Sequence, residues 1–130
     1  MDSKAKELAE KHYRLVKEIM KKYRMSEYDT PDWHGALSEG LCVAAKVWSV
    51  SADSALSVGV FEEFAVPYMI VAAIKERPLQ AVLGKVLAMR DDLSAVQECL
   101  LYELCFEEGN DETISVLTVK SEAVLNGQPE

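Results

Sequence analysis

The sequence predicts one all-α domain, a compact bundle of five to six helices, and three observations carry that prediction. Its 130 residues match the size of a single domain. A composition of 49% hydrophobic and 28% charged residues supplies enough apolar surface to offset the entropy of ordering. Apolar residues recur at three- and four-residue spacing along most of the chain, between short segments rich in capping residues and proline. The domain is expected over residues 1–125, with 126–130 (NGQPE) as a frayed tail. The competing architecture is α+β, with a C-terminal β-hairpin around residues 100–120.

The first helix is expected over Lys4 to Arg24. Ala5, Leu8, Ala9, His12, Tyr13, Leu15, Val16, Ile19, Met20 and Tyr23 share one arc of about 160° on a helical wheel, and every Lys, Arg and Glu lies opposite. Glu7/Lys11, Glu10/Arg14 and Glu18/Lys22 are i,i+4 pairs in the favourable order. The spacing predicts one of the most regular elements in the protein. His12 sits near the middle of the apolar arc with Leu8 and Val16 at its i±4 positions, which favours a hydrogen-bonded core histidine over a buried base or ligand.

Residues 26–32 (SEYDTPD) break the chain and signal a new start: Thr30 as N-cap, Pro31 at the first helical position, Asp32 complementing the dipole. From Trp33 to Val50 the apolar set Trp33, Ala36, Leu37, Gly40, Leu41, Val43, Ala44, Val47, Trp48 and Val50 covers about half the wheel, more than a lone surface helix needs. Ala36, Gly40 and Ala44 form a small-residue stripe that admits another backbone, read as tight internal packing rather than an intersubunit seam. Ser51 or Asp53 can cap a third helix over about 54–65, which Pro67 ends or kinks. Tyr68 to Ile74 has no polar face and reads as a buried short helix in preference to a buried strand. Pro78 opens the next helix, with Leu79, Val82, Leu83, Val86, Leu87 and Met89 on one face. Asp91 or Asp92 is expected to cap another, whose stripe is Leu93, Val96, Leu100, Leu101 and Leu104. Beyond the turn cluster 107–112 (EEGNDE), the β-branched run 113–120 suits a strand, yet Ile114, Leu117, Val124 and Leu125 also suit a helix capped by Asn110, and helix is preferred.

Charge divides the chain. Residues 1–25 carry eight Lys and Arg against four acids, whereas 26–130 carry six bases against eighteen acids. The resulting net charge of −8 argues against a general nucleic-acid-binding surface, because such binding needs clustered cations. The opening MDSKAKELAEKHYR lacks the apolar core of a signal peptide, so no targeting segment is expected. The longest apolar run, Phe64 to Ile74, is about half of what spans a bilayer. Cys42, Cys99 and Cys105 lack paired spacing and are expected to be reduced, mostly buried thiols of a cytoplasmic protein, with Cys42 on the polar side of its helix.

Motifs for chemistry are absent. No paired Cys/His spacing suits zinc, no Glu-x-x-His pairs suit a di-iron bundle, and no GxxxxGK[ST] or GxGxxG cradles phosphate. Gly35-Ala-Leu-Ser38-Glu-Gly40 has the wrong spacing for a nucleophile elbow and falls inside a predicted helix, so Ser38 is read as an exposed helical serine. No cofactor and no catalysis are expected. Carboxylates are the abundant groups: Glu62 and Glu63 in one cluster, Glu103, Glu107, Glu108, Asp111 and Glu112 in another. The order of acids does not fit an EF-hand. They form either a solvated face or a docking surface for a basic partner.

The function expected is therefore a protein-protein interaction module without catalysis, an inhibitor or immunity-type protein that masks a basic partner, existing as a monomer or homodimer. A secretion chaperone or adaptor subunit is an alternative within that class. A different class is a small-molecule binder or enzyme whose pocket lies between helices, with His12, Trp33, His34, Trp48 and Tyr68 as its lining. Binding of the first helix to a membrane surface is a lesser reading, since its apolar arc is needed inside the bundle.

Overall fold

The structure, a computed structural model, describes residues 3–25, 32–50, 58–75, 77, 79–109 and 112–117, with the backbone alone at 58–60 and 79–80. Among the described residues six helices follow in order, α1 (Ser3–Lys11), α2 (Arg14–Lys22), α3 (Trp33–Val50), α4 (Val58–Lys75), α5 (Leu79–Asp91) and α6 (Ala95–Glu107), and residues 112–117 form a further short helical segment. No strand occurs among the described residues. The described residues form the expected helical bundle; the C-terminal hairpin is not supported, because Leu100–Phe106 lies within α6 and residues 114–117 are helical. The expected caps Thr30, Ser51, Asp53 and Asn110, the helix-opening prolines Pro31 and Pro78, and the tail 126–130 fall outside the described residues.

The helix count exceeds the expected five to six partly because the first helix is two. His12 N still donates to Leu8 O, but Tyr13 N, Leu15 N and Val16 N donate to Glu10 O, His12 O and Tyr13 O, three residues back. These i→i−3 bonds tighten the backbone into a 3₁₀ turn between α1 and α2. No glycine or proline causes it. At this point His12, Tyr13 and Arg14 each hydrogen-bond a side chain of α3 or α4, so tertiary contacts interrupt the regularity that the local pattern predicts. The C-terminal end of α2 closes with Met25 N donating to Met20 O and Arg24 in the left-handed region (φ 55°), a place glycine usually takes. The Lys85 ammonium donates to the freed Tyr23 and Arg24 carbonyls, at 2.5 and 3.4 Å, and offsets that strain.

Helices α3 and α4 form the most extensive pairing of the bundle. Gly40 makes it: a Cβ placed there would lie 2.4 Å from Met69 Cα and 2.7 Å from Tyr68 O, so only glycine lets the two backbones approach. Ala36, Ala44, Leu37 and Leu41 are fully buried or nearly so beside it, against Phe61, Ala65 and Met69 of α4. The small-residue stripe thus serves internal packing. Asp32 does more than complement the dipole, since its Oδ1 accepts the Gly35 N–H (3.0 Å) and caps α3.

Pro67 does not end the helix expected to stop or kink there. It lies fully buried inside α4, and Met69 through Ile74 are buried with it. Proline has no N–H for the Glu63 carbonyl one turn back. Gln97 supplies the missing donor: its Nε2 donates to Glu63 O at 2.8 Å. The same side chain closes the N-terminus of α6, where Ser94 N donates to Gln97 Oε1 and Gln97 N donates to Ser94 Oγ, a capping box. Ser94, rather than Asp91 or Asp92, is therefore the cap.

Val82, Val86 and Met89 are buried as predicted for α5. In α6 the buried pair is Leu101 and Cys105, while Val96 is 80% exposed, so the true stripe is rotated from the expected one. Of the three thiols only Cys105 is buried; Cys42 is half-buried and Cys99 exposed, against the expectation of mostly buried cysteines. Buried Arg90 donates through Nη1 to Leu117 O (2.6 Å), which ties the last helical segment to α5.

Candidate functional site

The α3–α4 pair presents two faces, and the candidate residues divide between them. On one face α1 and α2 lie across the pair. His12 Nδ1 and Glu62 Oε2 are 2.6 Å apart, and Arg14 Nη2 donates to the same oxygen at 3.0 Å. Since a carboxylate only accepts, Nδ1 carries the proton, and in the neutral imidazole Nε2 is left as an acceptor. Nε2 is buried and has no partner among the described residues. His12 is thus the core histidine expected, with its partner contributed by α4 from fifty residues away. Tyr13 and His34 form a neighbouring hydrogen-bonded pair, their rings edge to face at 5.7 Å. Beyond them, Tyr23 donates to Asp92 (2.6 Å); that bond, ahead of the smaller contribution of nearby Lys22, holds the Asp92 carboxyl below its ordinary range.

Between α1 and α3 this face leaves a groove of about 420 Å³, lined by Ala9, Tyr13, Ser38, Leu41 and Cys42 together with the charged Lys6 and Glu10. Ser38 Oγ is buried there without a hydrogen-bond partner among the described residues, so Ser38 is half-buried rather than exposed as expected. The imidazole one turn away, His34, has its Nε2 engaged by Tyr13.

The other face is open among the described residues. Between α3, α4 and α6 lies a groove of about 450 Å³ whose floor includes Val43, Val47, Tyr68, Val71 and Leu104. Val43 and Val47 are 41% and 39% exposed, and Val50 beyond them 78%. The half-wheel apolar arc of the second predicted helix is therefore spent on both faces, its core half in the bundle and Val43 and Val47 in this groove. Three carboxylates, Glu39, Glu107 and Glu108, rim the groove against one ammonium, Lys75, which lies 3.7 Å from Glu108. Burial foremost, and then Glu107, raise the Tyr68 phenol above its ordinary value. Burial, and then Glu108, push the Cys105 thiol up to about 11, so it stays protonated.

The structure divides the sequence-predicted carboxylates. Glu62 is consumed by His12 and Arg14 on the closed face. Glu107 and Glu108 rim the open groove. Glu63, Glu103 and Glu112 are exposed outside it, and Asp111 falls outside the described residues. Sequence reasoning missed Glu39. Its signal was present, because Glu39, Val43 and Val47 follow one another at i, i+4 and i+8.

The five residues expected to line a pocket do not converge on one. His12, Trp48 and Tyr68 instead belong to a packed chain of rings in which His12 meets Phe61 (5.0 Å), Phe61 meets Trp48 (5.4 Å), Trp48 meets Phe64 (5.2 Å) and Phe64 meets Tyr68 (5.0 Å). Trp33 is buried in the core, and His34 is held by Tyr13. Tyr68, at the end of the chain, reaches the open groove. Among the described residues no three His, Cys, Asp or Glu side chains gather as metal ligands, and no helix is long and apolar enough to cross a membrane.

Comparison with known proteins finds no match to a protein-family model, a curated protein or a solved structure.

Proposed function

We propose that this chain is a protein-protein interaction module that masks a basic partner, in the manner of an inhibitor or immunity-type protein. The observation that supports this reading is the open groove, where exposed valines lie inside a rim of three carboxylates and one lysine. Apolar contact supplies affinity there, and the negative rim speeds encounter and orients the partner. Exposed Glu103, one turn before Glu107 on α6, extends the negative charge of that helix. A secretion chaperone or adaptor subunit would use the same surface. Three free cysteines suit a reducing compartment such as the cytoplasm.

Affinity purification of the chain from its native host, with mass spectrometry of what it retains, tests the proposal. The expected result is a basic protein whose binding falls at least about tenfold, with a flatter salt dependence, when Glu103, Glu107, Glu108 and Glu112 are reversed to Lys. Recovery of no basic protein, or binding indifferent to those four changes, overturns it. The α1–α3 groove, with its buried Ser38 hydroxyl, supports the small-molecule reading as the alternative. A thermal-shift screen checks that one, since a specific ligand raises Tm by mass action.

A further inference from the structure

We infer that the occupant of the open groove is a cationic amphipathic helix of the partner protein, laid between α3 and α6 with its apolar stripe on Val43, Val47, Tyr68 and Leu104 and its lysines or arginines against Glu39, Glu107 and Glu108. The inference rests on the interaction-module reading and adds the form of the bound segment. Two features of the molecule carry it. The first is the groove itself: helices α3, α4 and α6 wall it, the floor is apolar, and the charge sits on the rim, which is the chemistry that receives an amphipathic helix.

The second is internal. The opposite face of the same α3–α4 pair is already covered by basic amphipathic helices, α1 and α2. Their Ala5, Ala9, Val16, Ile19 and Met20 are buried, their lysines are exposed, and Arg14 is bonded to an α4 carboxylate. The open groove repeats that arrangement of apolar floor and acidic edge without a cover among the described residues.

A second copy of this chain fits less well. A two-fold dimer about the groove would join two rims that each carry three carboxylates against one ammonium, and that excess of like charge is costly. The basic face of another copy's α1–α2 has its apolar stripe buried in its own body, so it offers the groove charge without floor contacts.

The test titrates the full chain with a labelled synthetic Leu/Lys peptide whose leucines recur at i, i+3, i+4 and i+7, reading anisotropy for binding and ellipticity for helix formation. A peptide of the same composition with a central proline serves as the comparator. Binding with a gain in helicity is expected, weakened about tenfold or more by the proline, by Val47→Asp, and by Glu107→Lys with Glu108→Lys. The remote pair Glu7→Lys with Glu10→Lys, on exposed positions of α1, is expected to stay within about twofold, apart from the small effect of net charge.

If the proline peptide binds as well as the helical one and both respond to the rim charges, the helix-in-groove inference is overturned while the basic-partner reading stands. Absence of peptide binding, or binding that ignores Val47→Asp, also overturns it, and the purification experiment then judges the wider reading by itself. Dimerisation of the free chain in sedimentation, abolished by Val47→Asp, would place a second copy in the groove and overturn the inference in favour of self-association.

Discussion

The two faces of the α3–α4 pair begin from similar chemistry and end differently. Each offers an apolar strip edged by carboxylates. On the closed face the carboxylate is neutralised within the fold, Glu62 by His12 and Arg14, and the apolar strip is buried by α1 and α2. On the open face Glu107 makes no ion pair among the described residues, Glu108 meets only Lys75 there, and Val43 and Val47 remain exposed. Charge that the fold uses and charge that it leaves for a partner thus look alike in sequence and differ in what packs against them.

The largest test of this comparison acts on the seam that both faces share. Gly40→Ala places a methyl against the Met69 backbone, and neither helix can yield cheaply. A loss of about 2–3 kcal/mol in denaturant unfolding is expected, despite the better helix propensity of alanine. Little change would mean that the α3–α4 approach is looser than described.

A second test asks whether α4 depends on its proline-compensating neighbour. Gln97→Leu should cost about 1–3 kcal/mol, by leaving the Glu63 carbonyl without its donor and opening the capping box. In a Pro67→Ala background residue 67 regains an N–H for that carbonyl, so the penalty should shrink. A double-mutant cycle showing no coupling between the two positions would refute the pairing.

The smallest effects sharpen the contrast of the faces themselves. Glu62→Ala, which strips His12 and Arg14 of their acceptor, should destabilise by about 1–2 kcal/mol, whereas Glu107→Ala should stay within about 0.5 kcal/mol. Equal losses at both sites would show that the open-face carboxylate is also structural.

Much of this fold was legible in the chain. The bounds of α3, the apolar faces of α1–α2 and α5, and the small-residue stripe at Gly40 all follow from periodicity and side-chain size. The excess apolar arc of α3 was legible too, although periodicity could not say which half would be covered. Legibility failed where a distant residue supplied a bond. Pro67 reads locally as a helix stop or kink, yet α4 runs through it because Gln97, thirty positions later, satisfies the orphaned carbonyl. The first helix reads as one element and breaks at His12 and Tyr13 because Glu62 and His34 draw on consecutive residues.

The sequence by itself determined the helical class, the split between a basic first segment and an acidic body, and the surplus of apolar surface on α3. These depend on spacing and composition, which neighbouring residues define. Only the tertiary structure decided which carboxylates are spent inside the fold, that His12, Trp48 and Tyr68 of the expected lining join a packed chain of rings, and that Glu39, Glu107 and Glu108 meet around exposed valines. Pairing between residues tens of positions apart depends on how helices cross, and helix crossing is set by the whole packed core.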